Sequence, residues 1–126
     1  MATPNFLGAN LILGHTSGNV LTTPFVTTIL NNAGGSGTIY KVNTVNMNNQ
    51  SNITVIASLF FHTQAGQGGT TLPIVSNISI PSGAAFTAIE RNTQYYLEEN
   101  TSLSAQCASV SGNSAIVVTA SYEEIR

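Results

Sequence analysis

Charge is what this sequence most conspicuously lacks. Of its 126 residues three are basic and five acidic, 6% together, where an ordinary soluble protein carries about 25%. The bases are Lys41, Arg91 and Arg126; every acid is Glu, and Asp is absent. Three cations cannot track a phosphate backbone, so sequence-independent nucleic-acid binding is not expected. No polybasic run is available to hold an anionic membrane. Cysteine is nearly absent too: Cys107 stands alone, which rules out an internal disulfide and leaves a small buried apolar residue as its reading. Long hydrophobic runs are missing. The longest, Ile53 to Phe61, is interrupted by Thr54 and Ser58 and is too short to span a bilayer. The opening Met1-Ala2-Thr3-Pro4-Asn5 has neither the basic nor the apolar region of a secretory signal. The expectation is a chain made in a cytoplasm that does not enter the membrane.

The same shortages limit chemistry. A hydrolytic triad needs a nucleophile, a base and an orienting acid; no G-x-S-x-G elbow occurs and Asp is missing. His15 lies in a Gly/Thr/Ser loop and reads as solvated; His62 ends an apolar strand and reads as a rim residue. One Cys and two widely separated His do not make a zinc site. Glu98-Glu99 and Glu123-Glu124 are adjacent pairs, and neighbours on a strand point to opposite faces, so neither is a ready-made dyad. Gly66-Gln67-Gly68-Gly69-Thr70 lacks the Lys of a phosphate-binding loop. Sugar-binding modules generally offer aromatic platforms, and this chain has no Trp. No enzymatic activity, cofactor, metal or small-molecule substrate is expected. Four N-x-S/T triplets, at Asn49, Asn52, Asn77 and Asn100, arise from composition and read as unglycosylated without a signal peptide.

What is present is uncharged polarity: 14 Asn, 13 Ser and 16 Thr beside 42% hydrophobic residues. Disordered chains show the reverse, few apolar residues and much charge. Asn, Ser and Thr with Val and Ile favour strands and turns over helices. So little charge also fits a surface largely covered in an assembly, or simply an amide-rich surface.

Alternation of period two runs through the chain. Ile53, Val55, Ala57, Leu59 and Phe61 fall on one face of a central strand. Leu103, Ala105 and Cys107 alternate with Ser102, Ser104 and Gln106, and Ile116, Val118, Ala120 and Tyr122 with Val117, Thr119 and Ser121. These last two runs read as an antiparallel hairpin closing the C-terminus. Leu59, Phe61, Leu103, Val118 and Ala120 are the expected core. Upstream, Val20 to Leu30 reads as extended, with Pro24 marking an edge or a bend. Asn31 to Gly37 reads as a flexible loop. Thr38 to Asn46 is a strand whose irregular apolar spacing suggests a bulge or a half-buried face. Gln64 to Thr70 is a further loop, followed by strands around Ile74–Ile80, Phe86–Ile89 and Tyr95–Leu97. Of Tyr95 and Tyr96, one should be core and the other exposed.

Seven to nine short strands with turns every eight to twelve residues predict an all-β fold: a single-domain antiparallel β-sandwich, jelly-roll or immunoglobulin-like, with an extended N-terminal segment. Residues 1–18 read as an arm or edge strand and 19–126 as the sandwich. Phe6, Leu7, Leu11, Ile12 and Leu13 in that segment, with Tyr95 and Tyr96, are the candidate assembly contacts.

Three runs carry a resemblance: Ile80-Pro81-Ser82-Gly83, Tyr96-Leu97-Glu98-Glu99-Asn100-Thr101-Ser102-Leu103 and Val117-Val118-Thr119-Ala120-Ser121-Tyr122-Glu123-Glu124-Ile125. Together they resemble a group of small all-β structural proteins of tailed phages, notably those of marine bacteria and cyanobacteria. The usual run there is I-P-x-G, then Y-L-E-E-G-D-S-L, then V-V-V-S-Y-E-E-I. Here Asn100-Thr101 replaces Gly-Asp, a mild departure because Asn also tolerates left-handed backbone. The resemblance covers roughly residues 38–125 and brings no active site with it. It implies a virion location after synthesis in the host cytoplasm, and a homo-oligomer whose partners are other virion proteins, the major capsid protein or tail and neck proteins. The leading expectation is a head decoration (cement) protein. A tail, neck or fibre component is the alternative within the virion. A glycan- or surface-binding module using the Gly-rich loops and Tyr95 or Tyr96 is the alternative outside it.

Overall fold

A computed structural model describes residues 8–22, 24–108 and 116–126. Nine strands follow one another: β1 (Ile12–Leu21), β2 (Thr27–Asn32), β3 (Ile39–Asn49), β4 (Val55–Gln64), β5 (Gly68–Ile80), β6 (Ala85–Ile89), β7 (Tyr95–Leu97), β8 (Thr101–Ala108) and β9 (Ile116–Ile125). A 3₁₀ turn, Arg91–Thr93, separates β6 from β7. Among the described residues no helix is long and apolar enough to cross a membrane.

The strands form two antiparallel sheets. The front sheet runs β1-β9-β3-β6, with β7 also paired to β3; the back sheet runs β2-β8-β4-β5. Successive strands switch sheets at every step except β4 to β5 and β6 to β7. That order, with first and last strands adjacent, is the topology of a jelly roll, so the immunoglobulin-like alternative does not apply.

The two inner faces make one core. Val45, Met47, Val118 and Ala120 of the front sheet and Val55, Ala57, Leu59, Leu103 and Ala105 of the back sheet are all essentially fully buried. Cys107 is among them, its thiol near the Leu21 carbonyl at 3.7 Å. Phe61 departs from the expected core: it is only partly buried and packs at the core's margin. The strand at 38–46 extends to Asn49, and the suggested bulge is there, a register shift between Val42 and Thr44 against β9.

One reading is corrected outright. β8 and β9 do not form a hairpin; β8 pairs with β2 and β4, and β9 with β1 and β3. Alternation shows that each buries one face, and two such faces are satisfied equally by stacking across a core. The connecting residues 109–115 lie outside the described residues.

Amides do much of the work that ion pairs do elsewhere. Asn32 and Asn49 are both 0% exposed. Asn32 Nδ2 donates to the carbonyls of Thr38 and Leu97, both at 2.9 Å, while its Oδ1 accepts from Ser36 Oγ at 2.6 Å. Asn49 Nδ2 donates to the carbonyls of Ile53 and Ile80, both at 2.8 Å, and its Oδ1 accepts from the backbone N–H of Ser51 at 2.9 Å. Each sits at the end of its strand and reaches a strand of the opposite sheet. A neutral amide does this without the desolvation cost of a buried charge.

Candidate functional site

The candidate contact residues fall on the front sheet at one end. Three rows of paired residues cross it: Leu13, Glu124, Tyr40, Leu97; then Gly14, Glu123, Lys41, Tyr96; then His15, Tyr122, Val42, Tyr95. The fold therefore brings the β1 segment and Tyr95-Tyr96 to the same end of one sheet, at its opposite edges. Leu11 is 44% and Ile12 59% exposed, and Leu13 is half-buried. Phe6 and Leu7 lie outside the described residues. Tyr95 and Tyr96 are each 37% exposed, so neither is the core residue; Leu97 is. The expectation fails because β7 is a three-residue edge strand with no strand beyond it among the described residues.

Between those edges lies a cluster that sequence reading missed. His15 belongs to β1, not to a loop. Its ring stacks on Tyr122 with centroids 5.2 Å apart, and Tyr122 meets Tyr40 at 5.0 Å. His15 Nε2 lies 3.0 Å from Glu124 Oε2, and Arg126 Nη2 donates to the other carboxylate oxygen at 2.9 Å. Lys41 and Glu123 face each other at 3.9 Å in the adjacent row. Burial, then the neighbouring Tyr40 and Glu124, push the Tyr122 hydroxyl up; it stays a neutral donor. The missed signal was alternation of size: Gly14, Thr16 and Gly18 interleave with Leu13, His15, Ser17 and Asn19 as a strand requires.

Chemically, this cluster is closed on itself. The Glu124 carboxylate is held by two donors. The nearest hydroxyl on the same face of β1, Ser17 Oγ, is buried without a hydrogen-bond partner among the described residues. Among those residues no group of three or more His, Cys, Asp or Glu could hold a metal ion.

The second His also departs from its reading. His62 is 3% exposed, with Ser104 Oγ on Nε2 and Thr71 Oγ1 3.1 Å from Nδ1. It is buried on the outer face of the back sheet because the β4–β5 turn folds over its neighbours. Gln67 N donates to Ser102 Oγ at 3.1 Å, Gly66 N to Asn31 Oδ1 at 2.7 Å, and Ala65 N to Asn100 Oδ1 at 3.1 Å. Gln67 Nε2 reaches Thr28 Oγ1 at 2.8 Å. Likewise Gly37 N donates to Glu99 Oε1 at 2.9 Å across the other Gly-rich loop. Both loops spend these donors inside the chain.

The runs that carry the resemblance are architectural. Pro81-Ser82-Gly83 turns the chain after β5, with Gly83 at φ 74°. Asn100 takes φ 60° between β7 and β8. The final run is β9, central in the front sheet. Compared with known proteins, the chain matches no family model and has no significant match among curated proteins.

Proposed function

We propose that this protein is a structural virion component of a tailed phage, a head decoration protein that stabilises the capsid shell. The observation that carries the reading is the placement of the resembling residues. They occupy the turns at Pro81–Gly83 and Asn100 and the central strand β9, the parts that set a scaffold's shape. The near-absence of charge supports it, since contacts with neighbouring subunits would rest on apolar and amide surface. A protein that binds only the assembled shell stabilises that state by mass action. Few of its contacts would be ion pairs, so salt would screen little.

The test is copy number in purified particles by quantitative mass spectrometry. Hundreds of copies per particle are expected. A small ring number would move the protein to the tail or neck, and absence would overturn the virion reading. Release should need heat or denaturant; stripping by molar sodium chloride alone would contradict the shell contact described. The pinned Gly-rich loops do not favour the glycan-binding alternative.

A further inference from the structure

Beyond where the protein works, the front sheet carries an unprotected edge. β1 pairs with β9 over ten residues, Ile12 opposite Ile125 to Leu21 opposite Ile116, without a register shift. Among the described residues its other side has no partner strand. Leu11 exchanges backbone bonds with Arg126, donating at 3.1 Å and accepting at 2.9 Å. By alternation the odd residues of β1 bond to β9, and the N–H and C=O groups of Ile12, Gly14, Thr16, Gly18 and Val20 point out from the edge. No Pro, Lys, Glu or bulge interrupts them, the devices that normally blunt an edge.

Those five residues read the same in both directions: aliphatic, Gly, Thr, Gly, aliphatic. We propose that β1 pairs antiparallel with β1 of a second copy about a two-fold axis at Thr16. Ile12 then faces Val20, Gly14 faces Gly18, and Thr16 faces its own copy, each pair exchanging both backbone bonds. Ile12 and Val20, both 59% exposed, cover one another, and Thr–Thr is a favourable cross-strand pair. In the same register Ser17 stands opposite His15 of the second copy in a closely spaced pair. A two-fold interface requires such self-complementarity, and an unrelated strand has no reason to match it. The pairing joins two front sheets into one continuous sheet, and it stands on this edge whether or not the virion reading holds.

Sedimentation equilibrium of the full chain should give twice the 13.1 kDa of one chain. A monomer at the highest soluble concentration would overturn the proposal. Register is tested by charge. A Cβ at Gly14 meets nothing within 4 Å, and at Gly18 only ordinary contacts, so both accept side chains in the single chain. Gly14→Lys with Gly18→Lys sets like charges opposite each other and should raise the dimer dissociation constant about tenfold or more. Gly14→Lys with Gly18→Glu sets Lys opposite Glu and should dimerise clearly better than the double-Lys variant. Equal behaviour of the two variants overturns the register. Thr16→Pro removes an outward N–H and spares the ladder to β9; it should give a folded monomer by circular dichroism. A dimer abolished by deleting residues 1–7 but indifferent to these edge variants would assign the edge to the N-terminal segment and overturn β1 self-pairing.

Discussion

The sandwich has two long edge strands, and they are finished in opposite ways. β5, at the edge of the back sheet, shifts register against β4 in three places. Its extra residues bend it, Pro73 removes a donor, and Asn77 takes φ 51°. The N–H groups displaced by these bulges are captured from β4: Asn77 N donates to Ser58 Oγ at 2.9 Å and Thr70 N to Thr63 Oγ1 at 2.8 Å. β1, at the edge of the front sheet, has no shift, no Pro and no Lys, Arg or Glu. One edge is built so that no strand can add to it; the other keeps its donors and acceptors in line. Bulges, Pro and left-handed residues are the ordinary protection of an edge. Their presence on one side only argues that the bare side is left open for use.

The contrast is sharpest in how each edge is anchored to the rest of the fold. Asn49 holds the carbonyl of Ile80, the last residue of β5, at 2.8 Å from full burial. Asn19 of β1 reaches across to the carbonyl of Thr28 at 3.2 Å from partial burial. Asn49→Ala takes a donor from the buried Ile80 carbonyl and the acceptor from the Ser51 N–H, and should cost about 2–5 kcal/mol. Asn19→Ala should cost about 1 kcal/mol or less. Urea denaturation at one fixed protein concentration measures both. Equal losses would show that the two edges are tied down alike and break the comparison.

A single substitution made at each edge separates them next. Gly69 of β5 has φ 67°, and a Cβ there would sit 2.3 Å from Thr63 Oγ1. Gly69→Ala therefore meets both backbone strain and a clash, for a loss of about 2–4 kcal/mol. Gly14 of β1 is open to an added Cβ. Gly14→Ala should be neutral or stabilise by up to about 1 kcal/mol, because it removes freedom from the unfolded chain. Thermal melts of the two variants decide this, and a drop at Gly14 comparable with that at Gly69 would mean that β1 is as tightly fitted as β5.

How legible this was in the sequence follows from what each feature depends on. Period-two alternation needs only one buried face, so Leu59, Leu103, Val118 and Ala120 were recoverable from pattern alone. Which strand lies beside which is a long-range choice. Two runs of equal alternation, β8 and β9, carry no mark saying that they stack rather than pair. Gly14 and Gly18 disguised β1, and with it His15, because glycine reads as a loop residue until its spacing is compared with that of its neighbours. Tyr95 and Tyr96 were misjudged for want of the knowledge that β7 is short and at an edge. The bulges of β5 were invisible, since they are defined only against the register of β4. Asn32 and Asn49 were hidden by abundance: among 14 Asn, nothing local distinguishes the two whose amides cross the core.

The smallest effect is expected at the seam between β4 and the protected edge, and it depends on pH. His62 on β4 is 3% exposed and lies 3.1 Å from the hydroxyl of Thr71 on β5. In either tautomer one ring nitrogen donates and the other accepts, and the hydroxyls of Ser104 and Thr71 can serve both roles. Burial holds the imidazole's pKa below its ordinary value of 6.5. In the unfolded chain the ring takes up a proton near that ordinary value, while the folded protein resists. Below it, then, the unfolded state binds more protons, and stability falls as pH falls. Well above pH 7 this group contributes no slope. The expected result is a urea midpoint that declines between pH 7 and 5.5, a window above most carboxylate titration, and a shallower decline in His62→Gln. If both proteins show the same slope, His62 takes its proton in the folded state as easily as in the unfolded one. The cover laid over it by the β4–β5 turn would then be open in solution, and the protected edge would be less closed than its bulges and hydrogen bonds make it.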